Sequence, residues 1–161
     1  MTFKPTHASV SPSGLYGFVT DAYRPIPDEL RFMLGRLDGE TKFTCSIWRA
    51  ENPENGFVTP EDLTGFFIQA PGSADGITVE VRLLGPDGKS HLYTIGRPEP
   101  VDGTTTLIPI SQTRAVRVFS NEVFTADEAA VIFYTYYLTE AVAQPYVLRE
   151  LDLSQELSEE R

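Results

Sequence analysis

Few residues of this chain could perform chemistry, and none of them is spaced as a catalytic or metal-binding set. The chain has two histidines, His7 and His91, and one cysteine, Cys45. Neither histidine is paired with a second ligand at the spacing that metal sites use on a helix. The sequence also has no phosphate-binding glycine loop, no nucleophile elbow and no paired-cysteine motif. We therefore expect no enzymatic activity, no metal and no cofactor.

Two pairs of adjacent carboxylates, Glu61-Asp62 and Asp127-Glu128, could serve acid–base or metal chemistry. Each pair follows shortly after a threonine, Thr59 or Thr125. Threonine is a favoured helix N-cap, and acids are favoured in the first turn because the helix dipole is positive there. We therefore interpret both pairs as helix starts. Cys45 fits a packed strand residue whose lone thiol is compatible with a reducing cytoplasm.

The net charge of −10 arises in two stretches that contain no lysine or arginine. Between Arg49 and Arg82 the chain has six acids, and between Arg117 and Arg149 it has four. Such a field repels nucleic acid and attracts a basic protein partner. No apolar run reaches the roughly 18 residues of a spanning helix, and the N-terminus lacks the apolar segment of a secretory signal. We therefore expect a cytoplasmic protein that binds neither nucleic acid nor a membrane.

The acids that no helix start explains lie close to a small-residue segment, Ala70–Gly76, which we predict to be a loop. Small side chains and glycine would let this loop enter a cleft of a partner. Trp48 either anchors an interface from the polar-looking face of its strand or lies in a second buried layer. The predicted partner-binding residues are Trp48, Glu51, Glu54, Gly72, Ser73, Asp75 and Glu80.

Hydrophobic periodicity predicts an α+β fold with a mainly antiparallel sheet of about six or seven strands. The predicted strands span residues 15–20, 41–50, 77–84, 89–96, 104–110, 115–120 and 146–153. Gly85-Pro86-Asp87-Gly88 is the turn of the clearest hairpin. We expect a single domain over residues 15–153, between a flexible arm at 1–14 and a charged tail at 154–161.

Capping signals predict the helices. Pro25 opens a first helix whose apolar stripe consists of Leu30, Met33, Leu34 and Leu37. Thr125 and Glu128 form a capping box that begins a long C-terminal helix, which we expect to pack on a face of the sheet. Shorter helices should lie at the sheet edges. One of them begins at Thr59, although Phe66-Phe67-Ile68 at its end also fits a strand.

The C-terminal third resembles the end of bacterial immunity proteins, which neutralise toxins delivered between cells. The resemblance is carried by an acid- and alanine-rich helix start, an aromatic helix and a short terminal strand, at residues 122–130, 133–139 and 145–151. These segments are similar to those of immunity factors paired with actinobacterial NAD-degrading necrotising toxins, and more broadly to the Imm1-type group. The resemblance implies a small acidic α+β protein that has no active site and occludes a toxin in the cytoplasm.

The sequence therefore favours an immunity protein that covers the active site of a toxin enzyme with a basic surface. Acids would steer the encounter between the two proteins. A non-enzymatic adaptor or structural protein-binding domain is the first alternative. A small-ligand binder, or an enzyme without a recognisable motif, is the second.

Overall fold

The computed structural model describes residues 3–51, 53 and 65–151, which form an α+β structure. Its helices are α1, Ile26–Gly35, and α2, Ala126–Thr139. Its strands are β1 His7–Val10, β2 Tyr16–Phe18, β3 Thr44–Arg49, β4 Phe67–Ser73, β5 Gly76–Ile77, β6 Glu80–Leu84, β7 Ser90–Gly96, β8 Thr105–Pro109, β9 Ala115–Phe119 and β10 Val147–Glu150. The mainly antiparallel α+β fold predicted from the sequence is confirmed.

Within the described ranges, eight strands form one antiparallel sheet, and β8 and β9 form a separate hairpin. The order across the large sheet is β10–β7–β6–β4–β3–β1–β2, with β5 paired to the end of β4. The predicted turn Gly85–Gly88 joins β6 to β7. The predicted strand 77–84 is interrupted at residues 78 and 79, which separate β5 from β6.

Both helices share one apolar core with the sheet, and α1 packs along α2. Three residues of the predicted stripe, Leu30, Met33 and Leu34, are buried in α1, and the fourth, Leu37, is buried just beyond the end of the helix. The core side chains of α2 are Ala129, Ala130, Ile132, Phe133 and Tyr136. The placement of shorter helices at the sheet edges stays a prediction; α1 contacts α2, which covers part of the apolar stripe of each helix.

The N-terminus of α2 has the predicted capping box. The Glu128 amide donates to Thr125 Oγ1 at 3.3 Å, and the Thr125 amide donates to Glu128 Oε1 at 2.8 Å. Two amides that lack partners within the helix are thereby satisfied. Residues 120–122 form a single 3-10 turn shortly before this cap.

Two predictions of irregular structure are wrong. Residues 7–10 do not belong to a flexible arm, because they form β1 between β2 and β3. Residues 70–76 do not form a mobile loop, because β4 continues to Ser73 and turns tightly into β5. A Cβ atom on Gly72 would lie 2.3 Å from the Gly76 carbonyl oxygen, so glycine is needed for this close approach.

The sequence left open whether residues 66–68 end a helix or belong to a strand. Phe67 and Ile68 belong to a strand, since β4 begins at Phe67. The helix start predicted at Thr59 falls on residues outside the described ranges. The charged tail at 154–161 also lies outside them.

Candidate functional site

The structure distributes the predicted partner-binding residues over both ends and the interior of the sheet. Glu51 is exposed just beyond β3, and Asp75 is exposed in the turn after β4. Because β3 and β4 are antiparallel partners, these two acids lie at opposite ends of the sheet. The residues therefore do not form the single acidic surface that the sequence suggests.

The five other predicted positions are buried, partly buried or undescribed. Trp48 and Glu80 are 1% and 0% exposed, so neither side chain presents a surface to a partner, and Trp48 belongs to a second buried layer. Gly72 is buried in β4 and Ser73 is half-buried. Glu54 lies outside the described residues.

A groove of about 590 Å³ opens at the Glu51 end of the sheet, beside the C-terminal end of α2. Phe66 and Leu84 form its outer apolar wall, with 42% and 64% of their surfaces exposed. Tyr136 is almost fully buried and lines the groove from α2. The lining residues are Arg49, Ala50, Glu51, Phe66, Leu83, Leu84, Tyr136 and Glu140. Among the described residues, the groove thus combines apolar walls with a charged rim of two acids and one base.

Glu140 caps the C-terminal end of α2 in an unusual conformation. Among the described residues it is the one non-glycine with a positive φ, 54°, in the left-handed region that glycine usually occupies at this position. Its carboxylate also lies at the negative end of the helix dipole, where acids are unfavourable. The last turn of α2 has no basic residue to offset it. Two features that disfavour folding therefore coincide at one residue of the groove.

Glu140 has one ion-pair partner among the described residues, Arg49. Glu140 Oε2 lies 3.6 Å from Arg49 Nη1, and both side chains are partly exposed. This separation is longer than a hydrogen bond, so the pair is a loose one. Burial, together with the charge of Glu140, raises the pKa of Tyr136 to about 12. Glu51 adds a second carboxylate, so acids outnumber bases among the described residues that line the groove.

The opposite face of the sheet has a row of mostly polar side chains that the sequence analysis did not anticipate. Strand register aligns them across seven strands, in the order Tyr16, Val10, Ser46, Gln69, Glu80, Thr94 and Arg149. Gln69 Nε2 donates to Glu80 Oε1 at 2.6 Å. Residues of one row are far apart in the chain and meet only through register, so no local pattern could reveal them.

Arg149 ends this row and joins β10 to the 3-10 turn. Its Nε and Nη2 atoms each donate to a carboxylate oxygen of Glu122 at 2.8 Å. This bidentate pair raises the pKa of Arg149, and the charge of Glu80 contributes to the same shift. Because Glu122 is nearly fully buried, the pair stabilises the position of the edge strand β10.

The two histidines occupy opposite environments. His91 bonds Asp87 through Nε2 at 2.8 Å and Glu150 through Nδ1 at 3.0 Å, and its pKa is raised mainly by Asp87. His7 is buried against Tyr137, and burial, assisted by Arg49, lowers its pKa to about 4. No group of three or more His, Cys, Asp or Glu residues in the described part of the chain is placed to hold a metal ion.

Comparisons with known proteins returned no match. No family model matches the chain, and neither a curated protein nor a solved structure shows significant similarity to it. No helix in the described ranges is both long enough and apolar enough to cross a membrane.

Proposed function

We propose that the protein is an immunity protein, a stoichiometric inhibitor that binds a secreted toxin enzyme in the cytoplasm and covers its active site. The observation that supports this proposal is the groove at the C-terminal end of α2, with its apolar walls and surplus of acids. An enzyme that acts on an anionic substrate such as a dinucleotide needs a cationic cleft. A groove with an acidic rim is complementary to the edge of such a cleft.

The fold provides a fixed platform for this contact. In the proposal, α2 is the long C-terminal helix that lies on the sheet and carries Glu140 to the groove, while β3 carries Arg49 and Glu51 to the same place. Acids outside the interface raise the rate of encounter with a basic partner, and the apolar walls slow dissociation. Inhibition follows from occlusion and needs no chemistry by the chain itself.

Co-expression with a candidate toxin tests the proposal. Immunity genes normally follow the gene of their toxin, so the enzyme encoded directly upstream is the partner to use. We expect the chain to restore growth of the toxin-producing host and to form a complex of defined stoichiometry with the purified enzyme. We also expect the double variant Glu51→Lys, Glu140→Lys to lose protection. Asp75→Lys, at the other end of the sheet, is the matched control and should retain it.

Two outcomes would contradict the immunity role. A well-expressed chain that does not protect the host would refute it directly. A stable complex that leaves the enzyme fully active would instead favour the adaptor function, because binding would then occur away from the active site.

A further inference from the structure

We infer that the groove at the C-terminal end of α2 binds a short extended segment of the partner through one large apolar side chain and an adjacent lysine or arginine. The inference rests on the proposed function for the nature of the partner, but not for the chemistry of the groove. It assigns the apolar side chain to the walls formed by Phe66 and Leu84, and the cation to Glu51 and Glu140.

The apolar walls are large enough for this assignment. The volume of about 590 Å³ lies within the range of roughly 300–1,000 Å³ that holds a drug-sized ligand, so it accommodates two side chains and the backbone between them. Leu84 is the last residue of β6, and Leu83 beside it packs against the core. Phe66 comes directly before β4. An apolar side chain bound here would contact residues that strand ends hold in place, and such anchoring pockets contribute most to binding energy.

The charges of the groove select a cation. Glu51, Glu140 and the carbonyl end of α2 contribute negative potential, and Arg49 is the one base on the lining given above. Arg49 lies on one side of Glu140 at 3.6 Å, too far for a hydrogen bond. A lysine or arginine of the partner would therefore complete a site in which two carboxylates face two cations.

The same charges disfavour the other classes of occupant. An anionic ligand would meet the negative end of a helix and two carboxylates. A second copy of this chain would bring the same acids against each other if it used the groove symmetrically. A purely apolar segment would leave the acids of the rim without a cation. A basic residue next to an apolar one satisfies both parts of the groove.

Peptide titration observed by NMR tests the inference without knowledge of the toxin. The probe is acetyl-Ala-Arg-Leu-Arg-Ala-amide, added to the ¹⁵N-labelled full chain. We expect shifts at the amides of Glu51, Phe66, Leu84 and Glu140, with a dissociation constant on the order of 1 mM. Replacing the leucine of the peptide with serine should weaken binding about tenfold, and replacing both arginines with glutamate should abolish it.

Variants of the chain supply the matched comparison. Glu140→Gln should weaken binding of the arginine peptide about fivefold, whereas Asp75→Lys should leave it unchanged. The spectrum itself shows whether each variant is folded. Equal affinity for the arginine and glutamate peptides, shifts confined to the Asp75 end of the sheet, or no shifts at all would each overturn the inference.

The peptide and co-expression results distinguish the two proposals. A chain that protects the host but binds no arginine peptide refutes the assignment of the groove and leaves the immunity role intact. A chain that binds the peptide but gives no protection supports the groove chemistry and refutes the immunity role.

Discussion

Replacing Glu140 with glycine is expected to stabilise the fold while weakening partner binding. Two contributions to the free energy of unfolding favour the glycine variant. A residue with a side chain costs about 1–2 kcal/mol in the left-handed conformation that Glu140 adopts, and glycine adopts it without that cost. Removing a carboxylate from the negative end of a helix gains about 0.3–1 kcal/mol.

Two other contributions lower the stability of the glycine variant. The ion pair with Arg49 is exposed and long, so its loss costs less than about 0.5 kcal/mol. Glycine also increases the conformational entropy of the unfolded chain, at a cost of about 0.5–1 kcal/mol. The sum is a net stabilisation of about 1 kcal/mol, which corresponds to an increase in Tm of about 2–4 °C for a domain of this size.

Urea unfolding and thermal unfolding measure this effect, and Glu140→Gln is the matched control. Glutamine keeps the left-handed strain and removes only the charge, so its stability should stay within about 0.5 kcal/mol of the wild type. Both variants should bind the arginine peptide more weakly. A glycine variant that is destabilised by more than about 1 kcal/mol would show that the Glu140 side chain supports folding, and would refute the interpretation of this residue as a binding acid.

Three further predictions concern the interior. His7→Phe should remove a pH dependence of the free energy of unfolding. In the wild type, His7 is protonated in the unfolded state but not in the folded state as the pH falls from 6.5 to 4, which should cost about 3 kcal/mol of stability. Urea unfolding across that pH range measures the difference. Gly72→Ala should destabilise the fold by about 3 kcal/mol and Gly76→Ala by less than about 1, as thermal unfolding of both variants will show. Arg149→Met should cost about 2–3 kcal/mol in urea unfolding at pH 7, because it removes the cation that neutralises the buried Glu122 carboxylate and leaves that carboxylate only the Phe119 amide as a donor; adding Glu122→Gln should recover part of that loss.

Local signals predicted the elements that local physics determines. The stripe of α1, the capping box at Thr125 and the turn of the β6–β7 hairpin depend on residues within a few positions of each other. Each was predicted from residue type and spacing, and each is present. The spacing of apolar residues at the helical period was enough to identify the residues that α1 contributes to the core.

The elements that sequence reasoning missed depend on contacts between distant residues. β1 has only four residues and lies near prolines, so its place inside the sheet comes from pairing with β2 and β3 rather than from its own pattern. The segment 70–76 has the composition of a loop, but the missing side chain of Gly72 is what allows the close turn between β4 and β5. The composition therefore identifies small residues, but it does not show that they belong to the end of β4 and a tight turn into β5.

The roles of the acids also depend on contacts between residues that are distant in the chain. Sequence counting treats each carboxylate of the two base-free stretches as equivalent, but the fold gives them different roles. Glu80 and Glu122 are buried in contacts with polar and basic side chains, and Glu128 caps α2. Asp75 lies at the far end of the sheet from Glu51. Acids that already bond groups within the chain are not available to bind a partner protein.

Two other acids connect the two stretches. Glu51 belongs to the first stretch and Glu140 to the second, and the chain brings both to one groove with Arg49. The groove that we propose as the binding site therefore draws acids from both stretches at the end of α2, rather than from the first stretch alone. Because these acids are exposed, their attraction for a basic partner is screened by salt. The association rate should consequently fall with ionic strength in the wild type and fall less in the double lysine variant at positions 51 and 140.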